Sequence, residues 1–230
     1  MAHIHLEDGA FSPEWILVWA AVLTAILVPL FYVLKKRAFS PRRIAVAAMC
    51  AAVVVAVFMV EVPTPLGPVH LSFTPLVGML VGPGLGALVM LVVNLFSAAI
   101  GHGGWSMIPA NTLVGMLEVT IGYYAFSLLR RKLGIDRFWA GFSSSALALT
   151  AGALAVVLII GISGIQGSDL SREEVFRNTL VLAILNVGIG IIEGVVTGFV
   201  VSFVGKVRPD MLGEKAPELP SPASAEPGRA

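Results

Sequence analysis

The four histidines of this chain are its most evident metal-binding side chains. They are His3, His5, His70 and His102, and no predicted membrane span contains one of them. Histidine is the commonest metal-ligating side chain, and nitrogen-rich sites suit borderline divalent metals such as nickel and cobalt. The single cysteine, Cys50, falls inside an apolar run, so neither a disulfide framework nor a cysteine metal cluster is expected. The histidines therefore predict a metal site, provided that the fold brings them together.

The first residues can form a chelate by themselves. The small side chain of Ala2 permits removal of Met1, which leaves the Ala2 amine, the backbone nitrogen of His3 and the Nδ1 of His3 in one plane. One further imidazole completes a square, which nickel(II) and copper(II) favour, whereas zinc prefers a tetrahedron. His70, which follows the restricted PTPLGP stretch, is the candidate. If Met1 is retained, Met1, Ala2 and His3 can fill the square without His70, and both schemes stay open.

The two remaining histidines, and the acidic residues near the amino terminus, also have a simpler interpretation. His5 and His102, taken singly, can equally cap loops near the lipid headgroups. Glu7 and Asp8 can attract a cation, but a solvated turn before the first helix is the favoured interpretation.

Composition predicts the class of fold. The chain has 230 residues, of which 57% are hydrophobic and 13% charged, and its mean hydropathy is +0.91. Apolar stretches of about 20 residues cross the bilayer as helices, and the alternation of a membrane β-barrel is absent from this sequence. We therefore expect an all-α, polytopic membrane helical bundle in contact with lipid.

The apolar stretches predict about seven transmembrane helices. The third is short and a turn at 81–86 separates it from a full fourth helix, because Pro83 and three glycines are poor helix-interior residues. The predicted spans are 14–34, 43–60, two helices between 71 and 100, 108–129, 138–160 and 176–204.

Basic segments predict the orientation of these spans. Residues 35–43, 130–137 and 206–208 are basic, and with seven spans all three fall on one side, which the positive-inside rule assigns to the cytoplasm. The amino terminus and all four histidines then lie outside. The predicted domains are a membrane-embedded domain over residues 1–207 and a disordered cytoplasmic tail over 208–230, since the Pro, Ala, Ser and Glu content of that tail cannot bury a core.

An ordered set of short motifs resembles a known family. The set comprises the terminal His-Ile, Val69-His70-Leu71, VGPGLGALVMLVVNLF, GHGG and PANTLVG. Together they resemble the CbiM/NikM family, the metal-capturing substrate-binding components of energy-coupling factor (ECF) transporters for cobalt and nickel, from the amino terminus to about residue 204.

The resemblance implies a set of metal ligands. In the family these are the amine of the first residue, a histidine at position two and a histidine before the third span, which correspond here to Ala2 (or Met1), His3 and His70. This chain departs from the family's usual Met-His start by one extra residue. The resemblance also implies that His102 and Asn111, together with His5, hold the amino-terminal loop and the ligands in position.

Four polar residues lie inside predicted spans. Asn94 and Asn186 are interpreted as hydrogen-bonding between helices. Glu118 and Glu193 are costly at membrane depth and call for a functional hypothesis, but their spacing does not decide between a protonated state, an interhelical bond and a place near the metal route.

The sequence predicts a transport component that is not an enzyme. It contains no G-x-x-x-x-G-K-[ST] phosphate loop, so uphill uptake needs partners. The resemblance implies an EcfT/CbiQ-like coupling subunit, paired CbiO-like ATPases and a small CbiN-like membrane subunit. The alanine-rich second span either contacts the coupling subunit or packs internally.

The predicted function is therefore capture of Co²⁺ or Ni²⁺, as transported substrate, by a multi-pass protein of the cell membrane, with no catalytic cofactor and no nucleic-acid partner. Two rival functions are a specificity component for an organic vitamin and an intramembrane metalloenzyme. The latter needs an H-E-x-x-H pattern, which no span contains.

Overall fold

The structure is a computed structural model that describes residues 6, 8–60, 70–166 and 171–214. Within these residues it is all-helical and contains no strand. Seven α-helices, α1 to α7, span Pro13–Lys35, Pro41–Phe58, Thr74–Val81, Pro83–Ala99, Ile108–Ser127, Arg137–Ser163 and Arg172–Val207. Short helical turns cover Trp105–Met107, Leu128–Lys132 and Pro209–Leu212. The predicted all-α helical bundle is confirmed.

Five of the seven helices are long and apolar enough to cross a membrane. The exceptions are α3, with 8 residues, and α4, with 17. Many large apolar side chains point outward, for example Leu17, Leu158 and Phe199, which are 70%, 63% and 65% exposed. Such a surface is stable only against lipid, since a soluble protein rarely exposes so continuous an apolar area. The chain is therefore a multi-pass membrane protein.

The break between α3 and α4 is shorter than predicted. Only Gly82 is non-helical, with φ of +83°, and α4 begins directly at Pro83. Proline is well suited to the first helical position because its missing N–H has no partner there in any case. Gly86 lies inside α4 and packs against Val119 of α5, so the predicted turn over residues 81–86 is wrong beyond Gly82.

Helix α5 lies at the centre of the bundle and packs against α1, α3, α4 and α6, while α6 and α7 form a long paired contact. Small residues allow these close approaches, as in the α6–α7 contact where Gly141 meets Gly198. Helix α1 is peripheral, because only Leu23 and Leu34 along its length are buried.

The three basic segments lie at one end of the bundle, which we call the basic end. Arg42, at the start of α2, pairs with Asp210 at 3.2 Å. The Arg131 side chain, after α5, donates a hydrogen bond to the carbonyl of Leu212 at 3.0 Å. The structure thus groups the segments as the sequence predicts, while the side of the membrane they face stays a prediction.

Residues 208–214 are ordered and pack on the basic end. Leu212 is 1% exposed, and the Glu214 carboxylate accepts hydrogen bonds from Arg130 Nε at 2.7 Å and Arg137 Nη2 at 2.6 Å. Burial raises the pKa of Glu214, but the bonds from Arg137 and Arg130 outweigh burial and hold it below its usual range. The predicted disordered tail is therefore wrong for residues 208–214, because these partners lie far away in sequence. Residues 215–230 are outside the described residues.

A candidate metal-binding end

Two of the four histidines lie together at the end of the bundle opposite the basic end. The ring centroids of His70 and His102 are 5.2 Å apart, and the rings meet edge to face at 70°. Phe58, the last residue of α2, packs against both rings, with centroids 5.0 Å from His70 and 6.3 Å from His102. His70 is only 4% exposed. We call this region the histidine end.

The imidazole of His70 is oriented by the backbone of the next residue. Its Nδ1 lies 3.1 Å from the carbonyl oxygen of Leu71. A carbonyl can only accept, so this contact favours the tautomer in which Nδ1 carries the proton and Nε2 carries the lone pair. A metal-ligating histidine generally has its second ring nitrogen bonded in this manner. His70 can therefore present Nε2 to a metal.

Asn111, in the first turns of α5, holds the start of the described chain. Its Oδ1 accepts from the backbone N–H of Leu6 at 3.0 Å, and its Nδ2 donates to the Leu6 carbonyl at 3.1 Å. The backbone N–H of Gly104 also points at that carbonyl, at 3.4 Å. Leu6 itself is 5% exposed. The residue that follows His5 is thus fixed beside the loop that carries His102.

Asp8 makes a second attachment to the same loop. Its carboxylate accepts from the backbone N–H groups of Trp105 at 3.1 Å and Ser106 at 2.8 Å, and from the Ser106 hydroxyl at 2.5 Å. The side-chain and backbone bonds from Ser106 hold the pKa of Asp8 below its usual range. A Cβ on Gly104 would collide with Asp8, so glycine is required there. The sequence predicted the solvated turn but not this contact.

The third attachment joins the amino-terminal segment to the α6–α7 connection. The N–H of Gln166 donates to the carbonyl of Ala10 at 2.9 Å. Trp19 Nε1 donates to the Ser163 hydroxyl at 2.9 Å. Phe11 is 2% exposed and packs in an apolar cluster with Met107 and Ile160. Segments from three distant parts of the chain therefore meet at the histidine end.

Residues 70–73 lead from the histidine end into the bundle without helical structure. The carboxylate of Glu193, on α7, accepts the N–H groups of Ser72 at 2.7 Å and Phe73 at 2.8 Å, and Phe73 has φ of +54°. The Thr74 hydroxyl pairs with Glu118 on α5. Non-helical backbone at membrane depth is stable only where the protein satisfies its polar groups. The sequence did not decide the role of either glutamate. Their hydrogen bonds to residues 72–74 explain why both are present at membrane depth.

The structure describes only part of the predicted ligand set. Among the described residues, no group of three His, Cys, Asp or Glu side chains can enclose a metal ion. His70, His102 and Asn111 are described and lie at one end of the bundle. Ala2, His3 and His5 lie outside the described residues, so their part in the site stays a prediction.

The fold agrees with comparisons to known proteins. Residues 5–211 match the family model CbiM, described as a cobalt uptake substrate-specific transmembrane region. This match covers most of the chain, and the protein therefore belongs to the CbiM family.

Curated relatives include proteins named for both metals. A cobalt transport protein CbiM of Sorangium cellulosum (strain So ce56) is 29% identical over 228 residues, covering 91% of this chain and 94% of the relative. A protein of Archaeoglobus fulgidus named as a fused nickel transport protein, NikMN, is 32% identical over 171 residues, covering 72% of this chain and 55% of that longer protein.

Solved structures share the fold. A crystal structure of a transition metal transporter superposes with a TM-score of 0.75 at 21% identity and covers 89% of this chain and 93% of that chain. A truncated transition metal transporter gives 0.73 at 21% identity. Taken with the family, this chain is a membrane component of cobalt or nickel transport, as the sequence predicted.

Proposed function

We propose that this chain captures Co²⁺ or Ni²⁺ at the histidine end, as the substrate-binding component of an ECF-type importer. The proposed ligands are the Ala2 amine, the His3 backbone nitrogen, His3 Nδ1 and His70 Nε2. The observation that carries the proposal is the pairing of Asn111 with Leu6, because it fixes the chain just after His3 and His5 beside the His102 loop.

The distance from Leu6 to the amino terminus supports this arrangement. His3 lies three residues before Leu6 in sequence, and an extended chain covers about 10 Å in that interval. The His102 ring touches His70, and Gly104, two residues after His102, contacts Leu6. The interval between Leu6 and His3 is therefore long enough for His3 to reach the His70 imidazole.

His102, Asn111 and His5 support the ligands in this proposal without being required to bind the metal. His102 packs edge to face on the His70 ring and limits its rotation. Asn111 restrains the amino-terminal segment through Leu6. Groups of this kind typically change metal affinity 10- to 100-fold when removed, roughly speaking.

The proposed transport role implies which side of the membrane each end of the bundle faces and which subunits the chain binds. The histidine end faces outward and the basic end faces the cytoplasm of a cell membrane, in accord with the positive-inside rule. Energy for uptake comes from an EcfT/CbiQ-like coupling subunit with CbiO-like ATPases, and a CbiN-like subunit completes the complex. The chain itself performs no catalysis, and the metal is cargo.

Isothermal titration of the purified chain with Ni²⁺ and with Co²⁺ tests the proposal, alongside intact-mass spectrometry of the terminus. If Met1 is removed, His70→Ala opens the fourth position, and we expect affinity to fall by at least about 100-fold, beyond the range for residues that only support a ligand. Lys36→Ala, an exposed change at the basic end, is the matched control and leaves affinity unchanged. Retained Met1 with undiminished affinity in His70→Ala contradicts the site.

A further inference from the structure

A wide cleft opens at the basic end of the bundle, far from the histidine end. Its volume is about 760 Å³, which is in the range of sites that hold small organic ligands. Its walls are the end of α1, the start of α2, the break between α3 and α4, and residues 210–213. The cleft therefore lies between peripheral α1 and the rest of the bundle.

The lining of this cleft has an excess of positive charge. Its charged residues are four arginines and one aspartate, namely Arg37, Arg42, Arg43, Arg131 and Asp210. The aspartate pairs with Arg42 at 3.2 Å and also with Arg208, which lies outside the lining, at 2.9 Å. Four positive charges against one negative charge leave the lining with a net charge of +3.

The other three guanidinium groups have no carboxylate partner in the part of the chain that the structure describes. Arg43 Nη2 donates to the Val81 carbonyl at 3.2 Å, and Arg131 Nη2 donates to the Leu212 carbonyl at 3.0 Å. Arg37 makes no side-chain hydrogen bond or ion pair with the described residues. Because a guanidinium carries five N–H donors, each of these groups keeps donors for an anion.

The place of Arg42 and Arg43 in their helix adds to the positive potential. Both lie in the first turn of α2, which contains no acidic residue. The N-terminus of a helix carries a partial positive charge and disfavours a nearby cation. Two arginines there are unfavourable without anions to balance them, and among the lining residues only Asp210 supplies one.

The floor of the cleft is apolar and lies where the helices of the bundle end. It includes Leu34, Val81 and Leu212, which are all buried. Leu34 is one residue before the end of α1, and Val81 is the last residue of α3. The cleft is therefore at the level of the lipid headgroups. A ligand that fits it combines an anionic group with an apolar portion, as a phospholipid does and inorganic phosphate does not.

We propose that this cleft binds one anionic phospholipid, with its phosphate at Arg37, Arg43 and Arg131 and the start of its acyl chains on the apolar floor. Guanidinium groups bind phosphate oxygens through paired hydrogen bonds, and basic pockets between transmembrane helices bind the headgroups of anionic lipids. The bound lipid joins α1 to α2 and to residues 210–213. The proposal does not depend on metal binding.

Native mass spectrometry of the full chain tests the proposal with defined lipids. The delipidated chain is incubated with phosphatidylglycerol, or with phosphatidylcholine of the same acyl chains, which has a phosphate but no net charge. We expect one phosphatidylglycerol per chain, retained in preference to phosphatidylcholine. Arg37→Gln and Arg43→Gln should each weaken its retention about 5-fold, the effect of one basic residue near an anionic lipid surface.

Lys132→Gln is the matched control, because it removes an exposed positive charge beside Arg131 that does not line the cleft. Arg37→Gln breaks no hydrogen bond of the described structure, so its loss of lipid does not follow from misfolding. Equal retention of the two lipids, or equal losses in Lys132→Gln and Arg37→Gln, would overturn the proposal. A chain that retains neither lipid would also overturn it and would leave the cleft to a protein partner.

Thermal unfolding in detergent separates a lipid from a free anion. Phosphatidylglycerol should raise the unfolding temperature of the unmodified chain, because a ligand that binds only the folded state stabilises it. The same lipid should raise the unfolding temperature of Arg37→Gln less, and inorganic phosphate alone should not raise that of the unmodified chain. If inorganic phosphate stabilises the unmodified chain as much as phosphatidylglycerol does, the ligand is a free anion and the proposal is wrong.

Discussion

At the scale of single residues, the histidine end depends on side chains whose hydrogen-bond donors and acceptors match those of the backbone they contact. Asn111 both accepts from the Leu6 N–H and donates to the Leu6 carbonyl, and its carboxamide does so through two separate atoms, Oδ1 and Nδ2. The PANTLVG motif indicated Asn111 as a supporting residue, but it could not name Leu6 as the partner, because the two lie 105 positions apart. The contact of Asp8 with the His102 loop was not predicted for the same reason, since its partners begin at Trp105.

Asn111→Asp tests this match with a minimal change of shape. The carboxylate still accepts from the Leu6 N–H, but it opposes the Leu6 carbonyl and leaves that buried acceptor with a repulsive neighbour. We expect a loss of about 1–3 kcal/mol in stability and roughly 10-fold weaker metal binding. Thermal unfolding and nickel titration measure the two effects.

Asn94→Asp is the matched control. Asn94 is buried on α4 and donates to the Met90 carbonyl of its own helix, so the change should lower stability without altering metal affinity. An equal loss of affinity in both variants would show that Asn111 acts only through general stability.

At the scale of helices, the short α3 depends on close packing against α5. Eight residues extend only about 12 Å, too short for a stable isolated helix. Its Gly78 lies directly against the backbone carbonyl of Val119, and Gly122 of α5 lies against Pro75. Backbones that approach this closely gain extensive van der Waals contact, which is the main attraction between helices in lipid.

Gly78→Ala should therefore separate α3 from α5. The added Cβ meets the Val119 backbone, which cannot rotate away, so we expect a loss of more than about 1–3 kcal/mol, the usual cost of overpacking. Thermal unfolding in detergent measures it. Gly188→Ala, on α7 with no atom within 4 Å of the new Cβ, is the control and should be neutral or stabilising. Equal unfolding temperatures for the two variants would contradict the packing argument.

The helices themselves were predictable wherever hydropathy is continuous. The first predicted span, 14–34, is observed as Pro13–Lys35, and the sixth, 138–160, as Arg137–Ser163. The short third helix and the break after it were predicted, but the non-helical segment at residues 70–73 was not, and the turn ends at Gly82 instead of reaching residue 86. Hydropathy is the same for helical and extended backbone, and the residues that stabilise the extended form, Glu118 and Glu193, lie on other helices.

At the scale of the whole molecule, the two ends of the bundle carry different polar groups. The basic end carries ion pairs of arginine with Asp210 and Glu214, and the histidine end carries the amino-terminal attachments. The positive-inside rule then predicts which end faces the cytoplasm. The sequence predicted this division from loop composition, whereas the ordering of residues 208–214 depended on Leu212 and Glu214 finding distant partners.

Labelling of intact cells tests the orientation. In a Cys50→Ala background, a cysteine at Ser168, in the α6–α7 connection, should react with an impermeant maleimide. One at Leu133, which is 62% exposed at the basic end, should react only after the membrane is opened. The reverse pattern would show that the histidine end faces inward.

The attachments of the amino-terminal segment also set an order of assembly during synthesis. The residues that carry the proposed terminal chelate are synthesised before the anchors of the segment that follows them. Leu6, Asp8 and Ala10 are held by Asn111, by Trp105 and Ser106, and by Gln166. Contacts this distant in sequence close late, because a long loop must be ordered before they form. Peripheral α1 can enter the lipid alone, but Leu6 cannot be fixed until α5 is in place. A chain truncated before α5 should therefore insert into the membrane and still lack the capture site, so metal competence arises only when most of the protein has been made.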